Sequence, residues 1–224
     1  MKELTKNTLS LFLKEFSLEF RQRSTINGII VYLISTIFIC YLSFNLKGQV
    51  LDNITWNALF WIITLFTAIN AIAKSFMQES ESRFLYYYTI SSPQAIIISK
   101  ILYNFCLMGM LSILAFVFYS LVLGNVVEDA WLFTINLILG AFGFSSTLTM
   151  VSSIASKAGN STVLMAVLSF PVILPMLLLL IKVSKNAIDG LDRSVSLNHI
   201  VTLLSINVIV ITISYLLFPY LWRS

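Results

Sequence analysis

The chain has 224 residues, of which 58% are hydrophobic and only 11% are charged, with 14 Lys and Arg against 10 Asp and Glu. Soluble globular proteins carry about 25% charged residues, so the composition excludes a soluble enzyme, a disordered chain and a disulfide-rich secreted module. A bilayer-crossing helix needs about 20 predominantly apolar residues, and the hydrophobic content suffices for about six such helices. Cys40 and Cys106 lie within apolar stretches without metal or redox spacing, which predicts small buried side chains.

Residues 1–23 form the first predicted element, an amphipathic helix. Its apolar residues recur at helical spacing: Leu9, Phe12, Leu13, Phe16 and Phe20. Charged residues stand between them, among them Lys14, Glu15 and Glu19. The pattern predicts a helix that lies in the membrane interface before the first span. A soluble helix that packs on a partner protein is the alternative.

Six long apolar windows follow, and each can cross a bilayer as a helix because a helix satisfies its own backbone hydrogen bonds. The predicted transmembrane domain covers residues 24–224, with spans at about 26–46, 54–74, 96–123, 131–155, 160–182 and 199–222. The third span is expected to begin near Ile96, with Lys100 extending to the interface. The fold class predicted is an all-α membrane protein with six transmembrane helices.

The positions of Lys and Arg indicate the orientation of the chain. Ten of the 14 lie on one predicted side: in the N-terminal segment, in the second and fourth connections, at Lys100 near the start of the third span, and at the C-terminus. The other four lie in the remaining connections: Lys47, Lys182, Lys185 and Arg193. By the positive-inside rule both termini are cytoplasmic, and the net charge of +4 is a topology signal rather than a nucleic-acid site. The outer connection at 182–198 is predicted as a solvated loop, with a short surface or re-entrant helix as the alternative.

The second connection, residues 74–94, is the longest on the predicted cytoplasmic side. It contains Glu79, Glu81 and Arg83, then Phe84-Leu85-Tyr86-Tyr87-Tyr88, and then Ser91-Ser92-Pro93. Aromatic residues contribute much of the affinity of docking surfaces, so the connection is predicted to bind a partner. The alternative is an interfacial helix whose tyrosines rest on lipid headgroups.

Motifs for nucleotide binding and for ion coupling are missing from the sequence. No Gly-x-x-x-x-Gly-Lys-Ser/Thr occurs, so any ATPase activity belongs to another chain. No charged residue lies deep within a window, which argues against a proton- or sodium-driven transporter. Ser145 and His199 occupy spans where intramembrane serine proteases carry a dyad, but their predicted depths differ by about 15 Å. We therefore predict a protein that is not an enzyme.

The fourth and fifth spans contain two further patterns. Small residues recur every four positions in span four: Ala141, Ser145, Thr149 and Ser153. They predict close helix packing, with the polar lining of a translocation path as the alternative. Pro171 and Pro175 interrupt the hydrogen bonds of span five, which predicts either a hinge or a fixed kink.

The order of these features resembles the ABC-2 class of permeases and, within it, the CcmB family, the haem exporter membrane subunit of cytochrome c maturation. The resemblance covers nearly the whole chain. It is carried by Phe76-Met77-Gln78-Glu79, Ser82-Arg83-Phe84-Leu85, Ser92-Pro93 through Lys100, Gly140-Ala141-Phe142-Gly143-Phe144, Gly159, and Leu168-Ser169-Phe170-Pro171 with Pro175.

The resemblance implies a homodimeric subunit of the bacterial inner membrane, served by a separate cytoplasmic ATPase (CcmA-like) that uses the ATP. It implies that the segment from Glu79 to Pro93 is a coupling helix, with Glu79, Glu81, Arg83, Phe84 and Pro93 as docking residues. It also implies contacts with a haem-handling subunit (CcmC-like) and a small membrane subunit (CcmD-like).

Haem is then a transported or handled ligand, and ATP hydrolysis releases the haem-loaded chaperone (CcmE-like). Two mechanisms stay open, a haem transporter and a mechanical transducer that moves no haem itself. The absence of a basic track for haem propionates within the spans favours the transducer. The alternative function is a generic ABC-2 permease that exports a lipid or drug-like amphiphile.

Overall fold

The computed structural model describes residues 2–21, 23–45, 51–72, 74–77, 91–157 and 162–223, and nearly all of these residues are helical. In chain order the described helices are α1 (Lys2–Arg21), α2 (Arg23–Asn45), α3 (Asn53–Ile72), α4 (Lys74–Met77), α5 (Pro93–Leu123), α6 (Ala130–Lys157), α7 (Thr162–Ile188) and α8 (Arg193–Arg223). All of them except α1 and α4 are long and apolar enough to cross a membrane, which confirms the predicted all-α fold with six spans.

Helix α6 is the centre of the bundle. It contacts α3, α4, α5, α7 and α8, and 83% of its most apolar window is buried inside the protein. For α2 and α8 the corresponding share is 17%, so most of their apolar side chains face outward. Lipid chains solvate apolar helix faces as well as a protein interior does. The burial of α6 and the exposure of α2 and α8 therefore suit a bundle with α6 inside and lipid around α2 and α8.

An aromatic cluster fixes the bundle at the end opposite α1. The Trp56 ring of α3 lies 4.8 Å from the Tyr119 ring of α5, and Phe133 of α6 lies 6.1 Å from Trp56. The Trp56 indole N–H donates to the Gly124 carbonyl at 3.0 Å, and the Tyr119 hydroxyl donates to the Trp56 carbonyl at 3.0 Å. Because buried polar groups of aromatic side chains need partners, these bonds fix both the packing and the orientation of the rings.

Helix α5 begins earlier than predicted, and this changes the position of Lys100. Ser92 caps the helix by accepting the Ala95 N–H, and Pro93 occupies the first turn, where its missing N–H costs nothing. Lys100 therefore lies about two turns inside α5 and is only 2% exposed. The prediction that Lys100 extends to the interface is wrong, because partners inside the bundle hold its ammonium group.

The predicted outer loop at 182–198 is mostly helical. Helix α7 continues to Ile188 and α8 already begins at Arg193, so a short turn joins them. Gly190 has a φ of 61°, a conformation that glycine adopts readily and that ends helices. The Leu191 N–H donates to the Asn186 carbonyl at 3.0 Å across this turn. The prediction of a solvated loop is wrong, because charged residues in the last turn of a helix are solvated without unwinding it.

Helix α1 packs against α5 along one side and leaves an apolar stripe uncovered. Thr8 is buried and Phe12 packs against the core, whereas Leu9, Leu13 and Phe16 are 60%, 57% and 44% exposed. The exposed stripe belongs to the apolar face identified in the sequence. An exposed apolar stripe suits the membrane interface and a partner surface alike, so the interfacial role of α1 stays a prediction.

Candidate functional site

A buried lysine joins three helices at the α1 end of the bundle. The Lys100 ammonium donates to the Ser75 carbonyl of α4 at 2.7 Å, lies 3.5 Å from a Glu15 carboxylate oxygen of α1, and lies 4.9 Å from the centre of the Phe76 ring. Glu15 is 16% exposed. A buried charge is stable only when it is paired and hydrogen-bonded, and here a carbonyl, a carboxylate and a ring face surround the ammonium.

One turn further along α5, Asn104 extends this cluster to the central helix. Its side-chain amide donates to the Thr149 hydroxyl of α6 at 2.7 Å and to the Ser75 hydroxyl at 3.1 Å. The Phe76 backbone N–H donates to the Ser152 hydroxyl of α6 at 3.3 Å. We call the cluster of Glu15, Ser75, Phe76, Lys100 and Asn104 the Lys100 junction. Through it, α1, α4 and α5 are hydrogen-bonded or ion-paired to one another and to α6.

The Lys100 junction stands at the base of the predicted docking segment. Helix α4 ends at Met77, just before that segment, and Pro93, the last residue of the segment, opens α5. Glu79, Glu81, Arg83 and Phe84 lie outside the described residues, so their docking role stays a prediction. Of the predicted docking residues, Pro93 is described, and it is partly buried in the first turn of α5.

The small-residue stripe of α6 is buried throughout. Ala141, Ser145, Thr149 and Ser153 are at most 3% exposed. The hydroxyl groups of Ser145 and Ser153 donate to backbone carbonyls of their own helix at 2.9 and 2.6 Å. Hydroxyls that are satisfied in this way are suited to close packing more than to lining a polar path. The functional role of the stripe stays a prediction.

Buried asparagines, which the sequence analysis missed, connect neighbouring helices. Asn57 of α3 donates to the Ile181 carbonyl of α7 and Asn136 of α6 donates to the Leu180 carbonyl, both at 2.8 Å. Asn207 of α8 donates to the Leu139 carbonyl of α6 at 3.2 Å. Side-chain amides stabilise helix contacts in membranes by such bonds. Their signal in the sequence is an isolated asparagine within an otherwise apolar window.

Both prolines of the fifth span lie inside a helix. Helix α7 runs through Pro171 and Pro175, and each proline leaves one backbone carbonyl, that of the residue four positions earlier, without its usual N–H donor. Pro175 also lines a groove of about 360 Å³ between α6, α7 and α8, together with Thr147, Val172 and Ile209. The groove provides space beside the helix, whereas the hinge role of the two prolines stays a prediction.

Three grooves among the described residues are lined mainly by apolar side chains. A second groove of about 740 Å³ lies between α2 and α5, and a third of about 340 Å³ lies between α6 and α8. No charged side chain lines any of these three grooves. Among the described residues, no three His, Cys, Asp or Glu side chains come together as metal ligands. His199 is half-buried in the second turn of α8, far along the bundle from the middle of α6 that carries Ser145.

Six helices long and apolar enough to cross a membrane, with α6 buried among them, define a multi-pass membrane protein of the permease type. The chain belongs to the CcmB family, because the family model described as CcmB protein matches residues 6–219. It is therefore a membrane subunit of the haem-export ABC system of cytochrome c maturation, and the resemblance seen in the sequence is confirmed. Neither the curated proteins nor the solved structures contain a significant match to the sequence.

Proposed function

We propose that this subunit couples ATP hydrolysis by a separate cytoplasmic ATPase (CcmA-like) to movement of a homodimeric permease in the bacterial inner membrane. Both termini are cytoplasmic in this proposal, as the distribution of Lys and Arg indicates. The chain has no P-loop and contributes no nucleotide site. The observation that carries the proposal is a hydrogen bond that joins the two ends of the second connection: the Lys100 ammonium of α5 donates to the Ser75 carbonyl of α4.

The segment from Glu79 to Pro93 docks on the ATPase. Glu79, Glu81 and Arg83 supply charges that select and orient the partner, and Phe84 supplies an apolar contact. Pro93 fixes the point at which the segment returns to the bundle. A docking segment that returns to a capped, anchored helix can pass a displacement to the membrane domain, whereas a freely hinged linker would absorb it.

We infer that the complex acts as a mechanical transducer, and that haem itself does not pass through this subunit. Haem carries two propionates, and a path for them needs cationic or hydrogen-bonding side chains. The three grooves described above are mainly apolar: no cationic side chain lines them, and Thr147 and Tyr220 are their hydroxyl-bearing residues. ATP hydrolysis then acts through the haem-handling (CcmC-like) and small (CcmD-like) subunits to release the haem-loaded chaperone (CcmE-like).

Charge reversal tests the docking segment. We expect Glu79→Lys and Glu81→Lys to lower the ATPase recovered with the purified permease by about fivefold, the effect of about 1 kcal/mol at an interface. Pro93→Ala should lower recovery as well, because it loosens the return of the segment. Lys182→Glu is the control, since Lys182 is exposed at the opposite end of the bundle. Recovery that is unchanged in all three test variants would contradict the docking site.

Reconstitution separates the transducer from a haem transporter. Vesicles that contain only the permease and its ATPase are loaded with ATP on the ATPase side, and haem on both sides is measured. We expect ATP hydrolysis without accumulation of haem. ATP-dependent accumulation in these vesicles would refute the transducer mechanism and assign haem transport to this subunit.

A further inference from the structure

We propose that Lys100 and Asn104 are positioning residues that transmit the movement of the docking segment to α6. The inference rests on the proposed function and deepens it, because it names the contacts through which coupling passes. It concerns the residues behind the docking site and requires no contact between them and the ATPase.

The first step is the closure of the loop that contains the docking segment. Residues 76–99 lie between Ser75 and Lys100, and the 2.7 Å bond between the Lys100 ammonium and the Ser75 carbonyl joins the two ends of this stretch. Ser92 fixes the returning end by capping α5. A segment whose ends are joined moves with its base, so a displacement of the segment reaches α4 and α5 together.

The second step is the burial of the charge that closes the loop. Lys100 is 2% exposed, so water cannot replace the Ser75 carbonyl or the Glu15 carboxylate if either moves away. Separating a buried ammonium from its partners is far more costly than separating an exposed pair. Helices α1, α4 and α5 are therefore held together at this point while the segment is displaced.

The third step is the connection to the central helix. Asn104 bonds to Thr149 and the Phe76 backbone N–H bonds to Ser152, and both hydroxyls belong to α6. Helix α6 contacts the other spans α3, α5, α7 and α8, so its displacement changes the packing of most of the bundle. Because tightly packed interiors shift as units, a movement at the α1 end reaches the opposite end.

The experiment measures docking, hydrolysis and movement in the same purified complex of permease and ATPase. Cys40→Ala and Cys106→Ala remove the native cysteines, and Asn125→Cys, in the exposed connection at the opposite end, carries a spin label. Lys100→Met removes the charge but keeps the length of the side chain. Lys100→Arg keeps a cation that can donate to Ser75, and Lys182→Met is the control for loss of an exposed lysine.

We expect Lys100→Met to retain the ATPase and its hydrolysis within about twofold while the ATP-dependent change of the label falls about three- to tenfold. Lys100→Arg should restore most of the change, which a purely space-filling role of Lys100 would not predict. Asn104→Leu keeps Lys100 but breaks the bond to Thr149. It should likewise retain the ATPase and its hydrolysis while the ATP-dependent change of the label falls. If Lys100→Met does not fold, Asn104→Leu alone tests the inference.

Three results would overturn the inference. A wild-type label change in Lys100→Met and Asn104→Leu would show that movement passes elsewhere. Loss of the ATPase from both variants would show that these residues hold the docking site itself. Absence of the ATPase from the wild-type complex would contradict the proposed function, and the inference would fail with it, whereas the first two results leave the proposed function intact.

Discussion

Two glycines of α6 determine how closely its neighbours approach. A Cβ atom at Gly140 would lie 2.9 Å from the Trp61 ring of α3, and the Trp61 indole is held by a 2.7 Å bond to the Ser184 hydroxyl. A Cβ atom at Gly143 would collide with the Met176 sulfur of α7 and lie 2.7 Å from the Asn207 side-chain oxygen of α8. Small residues at such positions allow membrane helices to pack at short range.

Gly143→Ala should lower the free energy of unfolding by about 1–3 kcal/mol, because the added methyl group overpacks a site whose neighbours are fully buried. Thermal unfolding in detergent measures the effect. The matched control is Gly109→Ala in α5, where nothing lies within 4 Å of the new Cβ and the change should be neutral or stabilising by up to about 1 kcal/mol. Equal midpoints for the two variants would contradict the packing argument.

For single residues, the sequence predicts which side chains are buried better than it predicts which partners they bind. The small residues of α6 follow a visible four-residue spacing, and they are buried as that pattern indicates. Asn57, Asn136 and Asn207 occur singly, so nothing in the sequence shows which carbonyl each one meets. Lys100 is the clearest failure: a lysine near a span end usually extends to water, but here Glu15 and Ser75, distant in sequence, hold it inside.

Two connections are joined at the end opposite α1. The Asp129 carboxylate accepts the backbone N–H groups of Trp131 and Leu132 at 3.1 Å, which caps α6. The same carboxylate receives two hydrogen bonds from the Arg193 guanidinium of α8, at 2.6 and 3.0 Å. The pKa of Asp129 is lowered from its usual value near 3.8, mainly because Arg193 donates a hydrogen bond to the carboxylate. The hydrogen bonds from the backbone N–H groups lower this pKa further.

Asp129→Asn should therefore reduce stability in a pH-dependent manner. A carboxyl group with a lowered pKa in the folded state stabilises the protein above its unfolded pKa of about 3.9, and this contribution disappears as the pH falls through the folded value. The wild-type advantage in thermal midpoint should be constant above about pH 5 and shrink below about pH 4. It should be small throughout, because Arg193 is 60% exposed.

The thermal midpoints of wild type and Asp129→Asn, measured side by side between pH 7 and pH 3, give this difference directly. Asp192→Asn, in the exposed turn that precedes Arg193, controls for the loss of one acidic charge at this end of the bundle. A difference between wild type and Asp129→Asn that stays unchanged down to pH 3 would contradict the assigned role of the carboxylate.

The prolines of α7 provide a second test at the level of the element. If Pro171 and Pro175 form a hinge, replacing both with alanine restores two backbone N–H donors, so the protein should be as stable or more stable. Cytochrome c maturation in cells should nevertheless fall by about threefold or more, because a stiffer helix moves less. Leu174→Ala changes an exposed residue between the two prolines and is the control. Unimpaired maturation in the double variant would indicate a fixed kink.

Hydropathy was sufficient to predict that the six membrane-spanning helices exist. It was not sufficient to predict the residues at which they begin and end. The six spans are long uncharged windows, and backbone hydrogen bonding in lipid leaves a helix as the solution for each. The start of α5 at Pro93 depends on a serine cap, and the outer turn between α7 and α8 depends on Gly190. Both are local backbone features that average hydrophobicity cannot reveal.

On the scale of the whole molecule, the bundle combines a buried scaffold with exposed apolar surfaces. Helix α6 is enclosed, whereas α2 and α8 expose residues such as Val31, Phe38, Val208 and Leu216. Composition alone predicted a membrane protein of this size, and the family match supplies its place in haem export. The sequence does not show which exposed face meets lipid and which meets a second copy of the chain, because both surroundings favour the same apolar residues.

Coupling requires that the second connection faces the cytoplasm, where a separate ATPase can reach it. Labelling of single cysteines with a membrane-impermeant maleimide tests it most directly, with Glu79→Cys at the docking segment and Asn125→Cys at the opposite end, both in a background without Cys40 and Cys106. We predict that Asn125→Cys reacts in intact spheroplasts, while Glu79→Cys reacts only after the membrane is opened or inverted. Reaction of Glu79→Cys from the periplasmic side of intact spheroplasts would contradict the account, because no cytoplasmic ATPase could then bind that segment.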